Sequence, residues 1–294
     1  MAGEPKPAAG LQPVLGLLAL PRAFRLGWGP TLAAAVLLLI VLAVATAQLY
    51  VPFDPMAIDS LNRLKPPSET NWLGTDAFGR DLFSRIVIGG QVSLFIGVGA
   101  ALVAVIVGLV IGLVSGFFRL ADAIIMRLMD SLMAIPSVLL AIALVALNGP
   151  SLWSVIAAIT IPEIPRVVRL VRSVVLSARE EPYVEAAIAL GTSMPKILLR
   201  HLMPNTLAPL IVQGTYICAS AILTEAILSF LGAGVSTEIP TWGNIMAEGR
   251  LYFLIKPELI FWPGLLLSLC ILTINLLGDT ARDALDPRLQ KRRS

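Results

Sequence analysis

The sequence predicts an all-α protein that crosses a membrane six times, and three observations carry that reading. Hydrophobic residues make up 57% of the 294-residue chain, 14% of residues are charged, and the mean hydropathy is +0.85. A soluble domain carries about 25% charged residues. Apolar runs recur at the length of roughly 20 residues that one bilayer crossing needs. Lys and Arg gather in alternate loops instead of one patch, so no nucleic acid is expected as a partner and membrane lipids are. Cys218 and Cys270 both lie inside apolar runs, so they imply no disulfide framework.

Residues 1–30 form a tail, and 31–50 is the first span, without a charge. Ala45-Thr46-Ala47 has the small residues of a signal-peptide cleavage site. The apolar run is longer than a signal core and a long tail precedes it, so we read it as an uncleaved anchor. Residues 51–90 form a connector rich in proline (positions 52, 55, 66 and 67) with no strand pattern. Its last part predicts an amphipathic helix whose Leu82, Phe83, Ile86 and Val87 share a face, either on the membrane surface or packed within the protein. Residues 91–279 hold five further spans. The second, 92–118, places Gly97, Gly108, Gly112 and Gly116 for close helix packing. The third, 124–147, contains Pro136 and an expected Arg127–Asp130 pair. The fourth, 152–176, is expected to be broken at Pro162 and Pro165. The fifth, 206–231, contains Glu225, and the sixth, 259–277, ends before Gly278-Asp279. Residues 280–294 form a C-terminal tail.

Six spans place both ends on one side. That side carries Lys6, Arg22, Arg25, Arg119, Arg127, Arg166, Arg169, Arg172, Arg179, Lys196, Arg200, Arg282, Arg288, Lys291, Arg292 and Arg293. The other carries only Arg63, Lys65, Arg80, Arg85, Arg250 and Lys256. Cytoplasmic loops carry the excess of cations, so both termini and the 163–204 region are expected inside.

That inner region contains the most informative stretch, residues 185–205, which is too polar for the membrane core. It reads as two short helices joined at Gly191. Pro182 suits a first helical position, and Gly191 a left-handed closing turn. Ser193 can cap the second helix, with Pro195 in its first turn and Pro204 ending it. Helices this short do not persist alone in water, so a surface must hold them.

The pattern Glu185-Ala186-Ala187, Gly191, then a basic-apolar helix ending His201-x-x-Pro204-Asn205 resembles the coupling loop of importer-type ABC permeases. Other stretches agree. They are W-L-G-T-D-x-x-G-R-D-x-x-S-R from Trp72 to Arg85 with the Gly89–Leu94 entry, Ser229–Gly232, Pro240–Asn244 and Leu277–Arg288. Over residues 72–289 the chain is similar to permeases of the dipeptide and oligopeptide type (DppC/OppC). Two positions depart from that pattern, Glu163 for a neutral residue and Thr280 for a glycine.

The resemblance implies the type I ABC importer permease fold. It also implies that the loop at about 177–204 seats in a cleft of an ATPase subunit. Ala186 and Ala187 would allow close approach, Glu185 would pair with the ATPase or the loop's own backbone, and His201 would dock or cap. The implied partners are a second homologous permease, two ABC ATPase subunits and an extracytoplasmic solute-binding protein. Thr75, Asp76, Arg80, Trp242 and Asn244 are candidates for contacting that binding protein.

Ionisable groups within spans mark a path or a pairing. Glu225 either lines the solute path or pairs with a neighbouring helix, and Glu163 with Arg166 either flanks an aqueous bend or forms an interfacial ion pair. The chain has no phosphate loop, no H-E-x-x-H and no G-x-S-x-G. It is therefore expected to be no enzyme, to bind no metal through the lone His201, and to rely on partners for ATP and Mg²⁺. The rival reading is a stand-alone ion-driven transporter or channel, with Glu225 as its deep ionisable site. Substrates implied by the family are di- and oligopeptides.

Overall fold

A computed structural model describes residues 27–285, which fold into helices linked by turns, with no strand among the described residues. The tail cations Lys6, Arg22 and Arg25, and Arg288, Lys291, Arg292 and Arg293, lie outside those residues.

Helix α1 (Trp28–Ala45) ends where the Thr46 hydroxyl donates to the Leu42 carbonyl, and a short α2 (Ala47–Tyr50) follows. The connector then turns repeatedly until Asp81, whose carboxylate accepts from the backbone N–H and hydroxyl of Ser84 and so caps α3 (Leu82–Phe117). The expected amphipathic segment and the second span are one helix of 36 residues, about 54 Å at 1.5 Å per residue. Leu82 and Ile86 are buried in a core with Ile40, Val44 and Trp242, so this face meets protein and not the membrane surface.

The expected third span is a bent pair. Helix α4 (Arg119–Met133) meets α5 (Ser137–Asn148) at 90°. Pro136 supplies the reason, because it has no N–H and disfavours helical backbone at Ile135. Asp130 pairs with Arg169 at 2.5 Å and not with Arg127.

Helix α6 (Leu152–Ala178) corrects another expectation, for it runs unbroken through Pro162 and Pro165. A proline inside a helix costs about 3 kcal/mol; neighbouring helices that grip α6 offset it. Gly108, Gly112 and Gly116 of α3 face Val167, Val171 and Val175 of α6. A Cβ built on each glycine would come within 2.5, 2.6 and 2.7 Å of its valine. The two helices therefore touch at backbone distance along this seam, as small residues permit in membranes.

After α6 come α7 (Pro182–Ala189), α8 (Met194–Ile197), a π-turn at Leu198–Leu202, and α9 (Met203–Phe230). Helix α10 (Trp242–Gly249) and α11 (Glu258–Leu285) complete the chain. α11 continues past the expected stop at Gly278-Asp279, where Gly278 lets Thr215 of α9 approach: an added Cβ would lie 2.3 Å from the threonine oxygen.

Among the described residues, four helical stretches are long and apolar enough to cross a membrane, at 28–45, 82–117, 194–230 and 258–285, and the bent pair α4–α5 counts as a fifth if it is one span. α6 has the length, at 27 residues, but Glu163, Arg166, Arg169 and Arg172 interrupt its apolar composition. Its inner face is nonetheless closed, with Val155, Val167, Val171 and Val175 fully buried.

Candidate functional site

The loop at one end of the bundle is built outward from α6. Pro182 takes the first position of α7, where a missing N–H costs nothing. The helix closes with Gly191 at φ +74°, its N–H donating to Ile188 and the Thr192 N–H to Ala187. These two bonds form the Schellman pattern of helix ends. Val184, Ile197 and Leu202 point inward and pack in one cluster with Val175, Ala178 and Leu113, so the hairpin sits on the ends of α3 and α6, and Ala187 is buried as well.

Outward, Glu185, Ala186 and Gly191 are exposed, as are Tyr183, Ile188, Met194 and Leu199. Leu190 at the tip is 85% exposed. Ser193 occupies the cap position of α8, but its carbonyl and not its hydroxyl accepts, from Lys196 and Ile197. Pro204 does not end the second helix: it lies in the first turn of α9, after the π-turn. The Asn205 side chain donates to the His201 carbonyl at 2.8 Å and to the Tyr183 hydroxyl at 2.9 Å, and the Tyr183 and His201 rings lie 6.3 Å apart. His201 and Asn205 thus tie α7 to the start of α9.

Within the bundle, both carboxylate oxygens of Glu163 accept from Arg166, at 3.0 and 3.1 Å. Glu163 is buried, whereas the Arg166 side chain is 51% exposed. They border a small cavity of about 50 Å³ that also takes in Ser137 and Ala141 of α5, Ala158 of α6, and Ser220 and Thr224 of α9. Glu225 is fully buried elsewhere. It accepts from Ser229 at 2.8 Å and from Ser93 of α3 at 3.4 Å, and the Ser93 oxygen accepts from the Trp242 N–H. This set joins α9, α3 and α10.

The opposite end of the bundle holds Thr75, Asp76, Arg80, Trp242 and Asn244, and all five are buried. Their side chains are occupied inside the protein, which leaves them no exposed face for a partner. Arg80 and Arg85 each bridge Asp76 and Glu248, with Arg80 to Asp76 at 2.6 Å and Arg85 to Glu248 at 2.7 Å. Thr75 accepts from the Lys65 N–H and donates to the Asn62 carbonyl. The Trp242 indole donates to the Ile86 carbonyl at 2.9 Å. Asn244 donates to the carbonyls of Val235, Ser236 and Ile239 and so holds the α9–α10 turn.

Glu248 is the member that sequence reasoning missed, since no local spacing pairs residues 163 positions apart. Removing one partner of a buried ion pair costs about 3–5 kcal/mol. Arg85→Met is therefore expected to lower the thermal midpoint of the detergent-purified chain. Arg85→Met with Glu248→Gln should recover part of that loss; an unchanged midpoint for the single variant would show the network to be idle.

Residues 86–291 match the family described as binding-protein-dependent transport system inner membrane component. A probable peptide ABC transporter permease of Sinorhizobium fredii is 54% identical over 240 residues, covering 82% of each chain. A dipeptide transport permease, DppC, of Alkalihalophilus pseudofirmus is 44% identical over 78% of this chain and 76% of its own. A glutathione transport permease of Pectobacterium atrosepticum is 40% identical over 88% and 87%. Among solved structures, an inward-facing MetNI methionine ABC transporter chain aligns with TM-score 0.52 at 20% identity, over 69% of this chain and 97% of that one. That likeness concerns the fold.

Proposed function

This chain belongs to the binding-protein-dependent transport system inner membrane component family, and from that premise we propose that it is the permease subunit of an ATP-driven peptide importer. It forms half of the translocation path for di- and oligopeptides together with a second, homologous permease. Two separate ABC ATPase subunits bind ATP and Mg²⁺ and dock on the loop at residues 185–205. An extracytoplasmic solute-binding protein delivers the peptide to the other end. The chain lies in the inner membrane with both termini and the loop in the cytoplasm, as the cation distribution favours.

The observation that carries this reading is the form of the loop. Its inner residues are locked to α3 and α6 while its tip offers unpartnered apolar side chains to solution. Exposed apolar groups on a rigid mount mark an interaction surface. A short helix seated in a partner groove can carry the partner's closure into the bundle. ATP hydrolysis would then change the bundle without any catalytic group in this chain.

Gentle solubilisation of the tagged chain should recover a second permease and P-loop ATPases. Recovery of this chain alone would remove the reading. Glu225→Gln separates it from an ion-driven transporter. Its two carboxylate oxygens accept from one serine each; a glutamine oxygen keeps one of these bonds and the NH2 must turn the other hydroxyl into an acceptor, so the loss is about 1 kcal/mol. ATP-driven uptake is expected to change less than tenfold, whereas gradient-driven uptake through Glu225 would cease.

A further inference from the structure

The cavity at Glu163 lies at one depth in three helices. Glu163 stands about 17 Å along α6 from Leu152, Ser220 about 15 Å along α9 from Phe230, and Ser137 about 17 Å along α5 from Asn148. Those three helix ends adjoin, since Val145, Leu152, Val155 and Leu228 pack in one cluster. The cavity is thus near the middle of a hydrocarbon core of about 30 Å.

Its chemistry is uniform. Glu163 offers a carboxylate, and Ser137, Ser220 and Thr224 offer hydroxyl oxygens. Pro162 has no N–H to give the Ala158 carbonyl on the same wall. Every group in this list can accept a hydrogen bond, the hydroxyls being able to donate as well, and the Thr224 hydroxyl spends its donor on the Ser220 carbonyl. Among the described residues that line it, the one cation is Arg166, half exposed at mid-span, a place where a charge faces water or protein and not lipid. A flexible guanidinium held only through one nitrogen, at 3.0 and 3.1 Å, can be displaced by another donor. The volume of about 50 Å³ exceeds the roughly 10–15 Å³ that one water needs on the same measure, so it has room for a small polar group.

We propose that this cavity is a subsite for the terminal ammonium group of the peptide in transit, with Glu163 as its anionic partner and Arg166 as the cation that closes it between solutes. The proposal rests on the peptide-importer reading above. A solute ammonium exchanges places with the Arg166 guanidinium, so the buried carboxylate is never left without a cation. Hydrogen bonds to charged groups are worth about 1.5–3 kcal/mol, or roughly tenfold and upward in rate.

The test uses the assembled complex in liposomes, with the binding protein present, and two probes: trialanine and N-acetyl-trialanine, compared at equal occupancy of the binding protein. Glu163→Gln is expected to lower trialanine uptake roughly tenfold or more while the ATPase subunits remain bound. N-acetyl-trialanine should be slow in the unmodified complex and indifferent to the substitution. The double variant Glu163→Gln/Arg166→Gln should stay slow for trialanine. Recovery of uptake in the double variant would reduce the pair to a structural one and overturn the subsite, as would equal loss for both peptides or no loss. Uptake that followed exchange of potassium or sodium for choline would assign the cavity to an inorganic cation. If the unmodified complex takes up neither peptide, the peptide reading fails first, and the subsite with it.

Discussion

Leu190→Asp is expected to strip the ATPase subunits from the complex while leaving this chain folded. Leu190 is 85% exposed at the tip of the loop, so the substitution removes no contact within the chain. Burying a leucine in a partner is worth about 1.5–3 kcal/mol, and docking should weaken by roughly 10- to 100-fold. Uptake then falls with it. Gly191 gives a second handle on the same surface. Its φ of +74° admits Asn but strains a β-branched residue, and an added Cβ would meet no neighbour within 4 Å. Gly191→Asn should keep uptake, and Gly191→Val should lose it through altered presentation of the tip. Co-purification of ATPase with each variant is the measurement. Full retention with Leu190→Asp would place the docking surface elsewhere.

Gly112→Leu is expected to have the largest effect on the fold itself. A single Cβ there would already stand 2.6 Å from Val171, with the Val168 carbonyl at 3.1 Å. A leucine must force α3 and α6 apart over the whole seam. Overpacking of this kind costs typically 1–3 kcal/mol where side chains can yield. Here the obstruction includes backbone, so we expect the upper end or beyond, read as loss of monodisperse protein in detergent. Gly112→Ala grades the effect. Pairing Gly112→Ala with Val171→Gly should restore part of the loss, because only a glycine removes the valine Cβ that stands 2.6 Å from the added methyl. Wild-type behaviour of Gly112→Leu would show that the helices part freely at this point.

The features legible in the sequence are those set by local chemistry. Pro182 and Gly191 announced the start and end of α7, and the glycines of α3 announced a close seam. What escaped were facts set by distant neighbours. Pro162 and Pro165 read as a break because propensity is local, whereas α6 is held straight by valines locked to α3. Pro204 read as a terminator because a preceding π-turn has no sequence signature. Leu82 and Ile86 presented an apolar face whose partner, Trp242, lies far along the chain. The same blindness hid the burial of Asp76 and Arg80, which look like exposed loop residues until Arg85 of α3 and Glu248 of α10 complete their network.

The Arg85–Glu248 link has a consequence for biosynthesis. The two residues are 163 positions apart. At about 5–20 residues per second, the nascent chain carries Arg85 for roughly 8–30 s before Glu248 leaves the ribosome. Throughout that interval Asp76 alone must answer both Arg80 and Arg85. A chain truncated before α10 retains an uncompensated cation at the head of its longest helix. The last acid of the network to be translated, Glu248, therefore completes its charge balance only shortly before α11 is made.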